Sequence, residues 1–230
     1  MNAAAISLHR GQHRLAADVL VDSHRNYPAF RHVFPDPRRR LKALRPFFAA
    51  TLRDAIPFGS VYTDAGCGYA GTDAGAVHLG ADAGAVHPGA DAGGMAAVAV
   101  WLPPGAFPWT GVRQARAAPT LVRTMIAAPR SFPAFMRLGA NATRAHPTEP
   151  HWYLVVLGVR PSHQGHGHGS RLVAAGLHHA DRDGTACYLE TSDPTNVAFY
   201  QRFGFTVVDH ALSLVPGGPT HIAMRRPPAR

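Results

Sequence analysis

Three glycines alternate with other residues in one short segment of the C-terminal half. The segment reads QGHGHGS, residues 164–170, and it follows a nearly all-apolar stretch, HWYLVVLGV. Because glycine has no side chain to block an approach, successive backbone N–H groups can face one anion. A helix that begins at the end of the segment adds the positive end of its dipole. The spacing predicts a loop that binds a pyrophosphate, with Arg160, His163 and Arg171 supplying positive charge nearby.

The glycine spacing separates this loop from two common nucleotide-binding fingerprints. A dinucleotide-binding loop reads G-x-G-x-x-G, and a P-loop ends in G-K-[ST]. The present loop reads G-x-G-x-G and ends in Gly169, Ser170 and Arg171. A glycine-rich connection that binds no ligand is the alternative to a phosphate site.

A longer pattern around the loop resembles the GNAT superfamily of N-acetyltransferases. The strand that ends in Val159-Arg-Pro161 is followed by Gln-Gly-x-Gly-x-Gly, and the downstream segment YLETSDPTNVAFYQRFGF is similar to the second conserved segment of that family. The resemblance is dense over residues 149–207 and thin before them. It implies a single-domain GNAT fold and an enzyme that transfers the acetyl group of acetyl-CoA directly to a primary amine.

The resemblance also implies which residues bind acetyl-CoA. In the family, backbone groups of the fourth strand hold the pantetheine arm and polarise the thioester carbonyl, and here Leu157, Gly158 and Val159 occupy that place. Position 193 is Asp where many members have Asn, which leaves Asn196 as the better candidate for a contact to the arm. The loop residues expected to contact the pyrophosphate are Gln164, Gly165, His166, Gly167, His168, Gly169 and Ser170.

Two side chains are the first candidates for proton transfer. Tyr200 matches the family's general acid, which also contacts the cofactor; a phenol with a pKa near 10 is protonated at neutral pH and can donate to the leaving thiolate. A core residue packed under the sheet is the alternative for Tyr200. Glu190 is the first choice for the general base. Glu149 and His151 are alternatives, acting directly or through water, and an amine of low pKa needs no base.

Aromatic residues near the N-terminus and on the central strands are candidates for the acceptor pocket. Family pockets are built from those elements, which here carry Tyr27, Phe30, His32, Phe34, Trp101 and Trp152. The set suits a hydrophobic or aromatic amine of antibiotic or natural-product type, and ordinary core packing is the alternative. Two other functions stay open, a protein or peptide N-acetyltransferase and a non-catalytic acyl-CoA-binding module.

The elements that must position these residues follow from the hydrophobic pattern. Strands are predicted at residues 3–8, 60–63, 95–102, 151–159, 186–191, 205–212 and 220–225. Helices are predicted at 11–24, 37–55, 112–127, 132–144 and 169–182 and from 194 to about 203, and residues 27–30 are expected to break the first of these helices. This mixture predicts one α/β domain over residues 1–230, with a mixed sheet of about seven strands flanked by helices.

A near-repeat of nine residues interrupts this pattern at residues 64–94. Its units read TDAGAVHLG, ADAGAVHPG and ADAGG, and the two histidines in phase are His78 and His87. Gly and Ala bury too little surface to offset the entropy of ordering, which predicts a flexible insertion. A calcium-binding nonapeptide solenoid needs paired glycines that the repeat lacks. A metal site at the two histidines is a further alternative, although we expect no metal.

The composition is that of a globular protein with a basic balance, 46% hydrophobic, 16% charged and with a formal net charge of +9. A basic chain attracts anionic ligands, but no run of basic residues indicates nucleic-acid binding. No apolar run approaches the roughly 20 residues that span a bilayer, and no signal peptide is evident. The distant Cys67 and Cys187 fit a reducing cytoplasm. We expect a cytoplasmic monomer or homodimer that acts on a small-molecule amine, with no nucleic-acid or membrane partner.

Overall fold

The computed structural model describes residues 5–64 and 94–229. Its strands are β1 Ala5–Ser7, β2 Val61–Asp64, β3 Ala97–Leu102, β4 His151–Val159, β5 Ala186–Thr191, β6 Thr206–Leu212 and β7 His221–Arg226. Its α-helices are α1 His13–His24, α2 Pro28–Val33, α3 Pro37–Ala55, α4 Gly111–Ala127, α5 Phe132–Ala145, α6 His168–Arg182 and α7 Val197–Gln201. The predicted α/β fold is confirmed.

The strands form one mixed sheet in the order β1-β2-β3-β4-β5-β7-β6. Each neighbouring pair is antiparallel except β4 and β5, which run parallel. A parallel pair requires a crossover connection, and α6 supplies it by packing across β2, β3 and β4. The two central strands therefore run in the same direction.

Side chains of β3 alternate between two hydrophobic cores, one on each face of the sheet. On one face, Val98 and Val100 pack with residues of α1, α2, α3 and α5. On the other face, Ala99 and Trp101 pack with residues of α6 and α7. The backbone of Gly176 in α6 lies against the indole of Trp101, and a Cβ at Gly176 would lie 2.1 Å from the ring. Glycine at this position lets the helix approach the sheet.

The β4 strand changes register halfway along its length. Val100 pairs with Val156 whereas Trp101 pairs with Leu154, so Val155 is an extra residue that forms a β-bulge. On its other side β4 pairs with β5 only at residues 151–153. Beyond the bulge the two parallel strands separate, and the space between them opens toward the helices.

The first helix ends at His24, before residues 27–30, as predicted, and a short additional helix, α2, begins at Pro28. Proline at the first helical position gives up only an N–H that would have no helical partner, so it can open this new helix after the break. Residues 65–93, with Cys67, His78 and His87, lie outside the described residues, and the insertion stays a prediction. Within the described ranges, no helix has the length and apolar character needed to cross a membrane.

Candidate active site

A cavity of about 310 Å³ lies where β4 and β5 separate, and we call it the β4–β5 cavity. Residues 154–159 of β4 and 189–191 of β5 line it, together with side chains from α1, α3, α5 and α7. Toward β3 the backbone at residues 157–159 is paired with that at residues 97–99, but toward β5 it has no strand partner. Apart from the Val159 carbonyl oxygen, which accepts a hydrogen bond from Gln164 Nε2, its N–H and C=O groups on that side are available to a bound molecule.

The glycine loop leads from the end of β4 into α6. Gly165 and Gly167 have φ angles of 80° and 78°, a left-handed conformation that side chains disfavour. Gln164 Nε2 donates to the Val159 carbonyl oxygen at 3.3 Å, which ties the loop to the strand beside the cavity. Residues 164–167 are exposed, and α6 begins at His168. The loop therefore presents an accessible helix N-terminus, as the sequence predicted.

A buried carboxylate that the sequence analysis missed supports this loop. Asp64, at the end of β2, lies with Oδ2 2.9 Å from His168 Nδ1. Its Oδ1 accepts hydrogen bonds from the backbone N–H groups of Ala96 and Ala97 at 3.1 and 3.0 Å. Burial lowers the pKa of His168, and the nearby Asp64 opposes that shift. Arg171 donates to the His166 carbonyl oxygen at 3.3 Å and brings a positive charge to the loop.

The other loop and strand glycines allow close packing between elements. A Cβ at Gly158 would lie 2.3 Å from Ser23 Oγ and 2.8 Å from Leu20 Cδ2 of α1. A Cβ at Gly169 would instead meet Phe199 at an ordinary 3.5 Å. Gly158 therefore allows α1 to lie directly on the strand backbone that lines the β4–β5 cavity. Ser170 follows in the first turn of α6 and is partly buried.

Tyr200 is 8% exposed and lies at the cavity lining. Burial raises the pKa of its phenol above the ordinary value, and the Tyr27 phenol acts in the same direction, so Tyr200 is protonated at neutral pH. The Tyr27 oxygen accepts from the Ser192 backbone N–H at 2.7 Å and is hydrogen bonded to the Thr191 hydroxyl at 3.0 Å. Asn196 Nδ2 donates to the same Thr191 hydroxyl at 3.3 Å. These contacts join the turn between α1 and α2, the end of β5 and the turn before α7 at one corner of the cavity.

Glu190 reaches the cavity from β5, and the other two predicted bases do not. Its Oε2 accepts a hydrogen bond from the Tyr153 hydroxyl at 2.7 Å. Burial raises the pKa of the Glu190 carboxyl, and the hydrogen bond from Tyr153 opposes that shift. Glu149 is exposed before β4, and His151 Nε2 lies 2.9 Å from His146 Nε2 in a buried pair. Neither Glu149 nor His151 is among the described residues that line the cavity.

The structure divides the predicted acceptor residues. Tyr27 and Phe30 line the β4–β5 cavity, and the Phe30 ring centroid lies 6.0 Å from that of Phe47 and 5.8 Å from that of Phe48. His32 is separated from them because it lines a different hollow, beside Arg31 and Pro219. The aromatic end of the cavity is therefore formed by α2 and α3, and His32 is removed from the candidate set.

Three further aromatic assignments are corrected in the same way. Trp101 is 0% exposed and packs against Gly176 on the α6 face of the sheet. Trp152 lies on that face too, where its Nε1 donates to Asp183 Oδ2 at 3.1 Å. Phe34 is buried against Phe135, with ring centroids 5.7 Å apart. Core packing, the alternative stated for these residues, describes all three.

His24 is a cavity residue that the sequence analysis missed. It ends α1 and is 8% exposed, and its Nδ1 lies 3.0 Å from the Leu20 carbonyl oxygen. Burial lowers the pKa of the imidazole to about 4, so His24 is neutral at physiological pH. A histidine at the end of an amphipathic helix carries no sequence signal of its own, and only its contacts distinguish it.

A family model and a curated relative match the part of the chain that contains these features. Residues 126–205 match the model of the acetyltransferase (GNAT) family. Over 81 residues the chain is 35% identical to mycothiol acetyltransferase of Streptomyces coelicolor. This match covers 34% of the present chain and 26% of that protein. The match thus spans about a quarter of the curated relative's length.

Solved structures share the fold over nearly the whole chain. A Corynebacterium glutamicum protein named histone acetyltransferase HPA2 and related acetyltransferase has a TM-score of 0.66 and 22% identity, covering 100% of this chain and 98% of that one. Polyamine N-acetyltransferase of Drosophila melanogaster has a TM-score of 0.55 and 16% identity, with 96% of each chain covered. Arylalkylamine N-acetyltransferase 2 of Aedes aegypti has a TM-score of 0.57 and 12% identity, with 99% of each covered. The chain has the GNAT fold, and residues 126–205, which contain the glycine loop, Glu190 and Tyr200, match the acetyltransferase (GNAT) family model.

Proposed function

We propose that this protein is an N-acetyltransferase that moves the acetyl group of acetyl-CoA directly to a primary amine of a small molecule. One observation carries the proposal: three features meet at one cavity. They are the glycine loop, the strand backbone at residues 157–159 that has no partner in β5, and the protonated phenol of Tyr200. A binding module would need the first two features alone. The third supplies a proton where a thiolate must leave.

The residues present fit acetyl-CoA. The loop at residues 164–170 would hold the pyrophosphate, because its left-handed glycines and the α6 N-terminus leave N–H groups open to an anion. The backbone at residues 157–159, which has no partner in β5, would hold the amides of the pantetheine arm. The hydrogen bond from Asn196 to Thr191 keeps Asn196 close to the expected position of the arm. An arm extended along β4 from this loop leads into the cavity lined by Tyr200.

The proposed chemistry assigns one proton donor and one anionic group to the cavity. Tyr200 gives its proton to the departing thiolate, and burial keeps that proton in place until the thiolate forms. Glu190 attracts a cationic amine and can accept a proton, since its raised pKa makes the carboxyl a stronger base. Backbone N–H groups at residues 157–159 polarise the thioester carbonyl, an interaction that is worth about 3 kcal/mol in other enzymes.

The proposed acceptor is a hydrophobic or aromatic amine of antibiotic or natural-product type. The apolar cavity end formed by Phe30, Phe47 and Phe48 supports this class. So does the resemblance of residues 149–207 and several shorter stretches to puromycin N-acetyltransferase. Enzymes named for polyamine and arylalkylamine acetylation share the fold. We further propose that the enzyme acts in the cytoplasm on free small molecules and that residues 64–94 are an insertion in its single domain.

Thiol release from acetyl-CoA across a panel of amines tests this function. The panel contains aminonucleosides, arylalkylamines, polyamines and short peptides, and we expect release with at least one small amine. Release with peptides alone would replace the small-molecule acceptor with a protein or peptide. Absence of release with every amine, while acetyl-CoA still binds, would leave only a binding module.

The variant Tyr200→Phe tests the proton donor. We expect kcat to fall at least about 100-fold at neutral pH, because general acid catalysis typically contributes a factor of this size or more. Tyr62→Phe is the matched control, since the buried Tyr62 hydroxyl has no hydrogen-bond partner among the described residues and lies in the α6 core. Equal activity of Tyr200→Phe and wild type would exclude the phenol as the acid.

A further inference from the structure

The imidazole of His24 is an unused basic group in the β4–β5 cavity. His24 is the last residue of α1, directly after Ser23, whose hydroxyl would lie 2.3 Å from a Cβ on Gly158. The imidazole therefore projects from the turn of α1 that rests on the strand backbone of the site. Its small exposed surface belongs to the cavity lining.

Two oxygen atoms fix the tautomer of His24. Nδ1 lies 3.0 Å from the Leu20 carbonyl oxygen and 2.9 Å from Ser23 Oγ, and the Ser23 hydroxyl donates to the same Leu20 carbonyl at 3.1 Å. A carbonyl oxygen can only accept, so Nδ1 carries the hydrogen and Nε2 keeps its lone pair. Within residues 5–64 and 94–229, Nε2 has no hydrogen-bond partner and is not sealed from the cavity.

Aromatic rings surround the imidazole on its other sides. The Tyr27 and Phe48 ring centroids lie 5.3 Å away and that of Phe30 lies 6.1 Å away. These contacts hold the ring in one orientation and keep it neutral. The titratable groups that line the same cavity are Tyr27, Tyr153, Glu190, Asp193, Tyr200 and His221.

We propose that His24 Nε2 accepts a hydrogen bond from the acceptor amine and takes its proton during acetyl transfer. The proposal rests on the function given above and adds a residue to it. Glu190 differs in this respect, because its Oε2 is engaged by Tyr153 and its Oε1 is buried. His24 therefore handles the reacting nitrogen, while the Glu190 charge attracts the amine to the cavity.

The proton transfer balances without any further reactant. The amine nitrogen bonds to the thioester carbonyl carbon, one N–H proton passes to His24 Nε2, and the C–S bond breaks as Tyr200 protonates the sulfur. The His24 imidazolium then releases its proton to solvent, and the Tyr200 phenolate takes one up from solvent. A neutral imidazole of low basicity suits this order of events. An imidazole with a pKa of about 4 leaves most of a free ammonium group protonated. It can accept a proton from the amine nitrogen once that nitrogen has attacked the carbonyl carbon, because the nitrogen then becomes strongly acidic. The amine that reacts is the neutral one.

Three substitutions of His24 separate its possible roles. His24→Phe keeps an aromatic ring among its neighbours and removes both nitrogens, and we expect kcat/KM to fall roughly 100-fold or more. His24→Gln supplies an amide oxygen that can accept a hydrogen bond but not a proton, so we expect it to recover amine KM and not kcat. His24→Ala opens a space at the cavity, and we expect added imidazole to restore at least about tenfold of the lost rate.

The controls distinguish a failed inference from a failed function. His210→Ala, on the exposed face of β6, should leave kcat/KM unchanged with and without imidazole. Thermal stabilisation by acetyl-CoA should persist in all three His24 variants, which shows that the fold and the cofactor site are intact. Wild-type activity with full activity in His24→Phe would overturn the His24 role alone. So would a slow His24→Ala that binds acetyl-CoA and ignores imidazole. An inactive wild type would overturn the proposed function, and the His24 role with it.

Discussion

Substitution of Gly158 by alanine tests how α1 is held against β4. The added methyl group would lie 2.3 Å from Ser23 Oγ, 2.8 Å from Leu20 Cδ2 and 3.2 Å from Ser23 Cβ. The Ser23 hydroxyl cannot rotate freely, because it donates to the Leu20 carbonyl and contacts His24 Nδ1. Rotation would also leave the Leu20 contact in place, and Leu20 is fully buried. Relief of the clash therefore requires α1 to move away from the strand.

The expected cost of Gly158→Ala follows from measured overpacking in cores. Inserting one methyl group into a filled core costs about 1–3 kcal/mol. For a protein of this size, each kcal/mol lowers Tm by roughly 2–4 °C, which predicts a decrease of roughly 2–12 °C. Because Ser23 supplies the shortest contact and Leu20 the next, adding Ser23→Ala should recover only part of the loss, about 1 kcal/mol.

Thermal and urea unfolding without ligand measure this effect. Gly139→Ala is the matched control, since Gly139 lies in the exposed middle of α5 and a Cβ there meets nothing within 4 Å. Replacing glycine by alanine in an open helix should stabilise the protein by up to about 1 kcal/mol. A Gly158→Ala protein as stable as wild type, or a Ser23→Ala change that adds independently to it, would refute the proposed contact between α1 and β4.

Two further variants test the support of the glycine loop and the buried pair of His146 and His151. Asp64→Asn keeps an acceptor for the backbone N–H groups of residues 96 and 97 but removes the charge that faces His168. The KM for acetyl-CoA should therefore rise roughly tenfold, while kcat changes little. An unchanged KM would exclude a role for Asp64 in the loop. Burial lowers the pKa of His146 to about 4, so an unfolded chain takes up a proton below about pH 6.5 that the folded chain refuses, and stability is lost as pH falls from 6.5 toward 4. His146→Gln should therefore show a smaller decrease in urea midpoint between pH 7.5 and 5 than wild type, and an equal decrease would contradict this assignment.

The sequence predicted best where one short segment contains all the information. The loop at residues 164–170 needs left-handed backbone at Gly165 and Gly167, and glycine is the residue that adopts it readily, so composition and conformation coincide. The strand at residues 151–159 was predicted with its observed bounds because an apolar run of this length, ended by a proline, suits a central strand. Tyr200 was named through its motif, and its burial beside Tyr27 depends on contacts that the motif does not contain.

The acceptor end was predicted least well because burial of an aromatic residue does not identify the face it occupies. Trp101 and Phe30 are both buried aromatic residues in the sequence pattern, yet they lie on opposite faces of the sheet. The pattern of β3, with six consecutive buried residues, gives no polar face from which to orient Trp101. His24 was missed for the opposite reason. Its position at the end of a helix is ordinary, and the sequence does not show that one of its ring nitrogens faces the cavity.

The bulge at Val155 explains why the cavity could not be derived from strand alternation. Before the bulge, Trp152 and Leu154 face the α6 core, and a regular strand would keep all even-numbered positions on that face. After it, Leu157 and Val159 face the α6 core instead, which turns Gly158 toward α1. The extra residue therefore does two things at once: it ends the pairing with β5, which opens the cavity, and it presents the one position without a side chain to the helix that carries Ser23 and His24. Since residues 151–159 are almost uniformly apolar, neither effect leaves a trace in the hydrophobic pattern, although both decide which side chains surround the reacting amine.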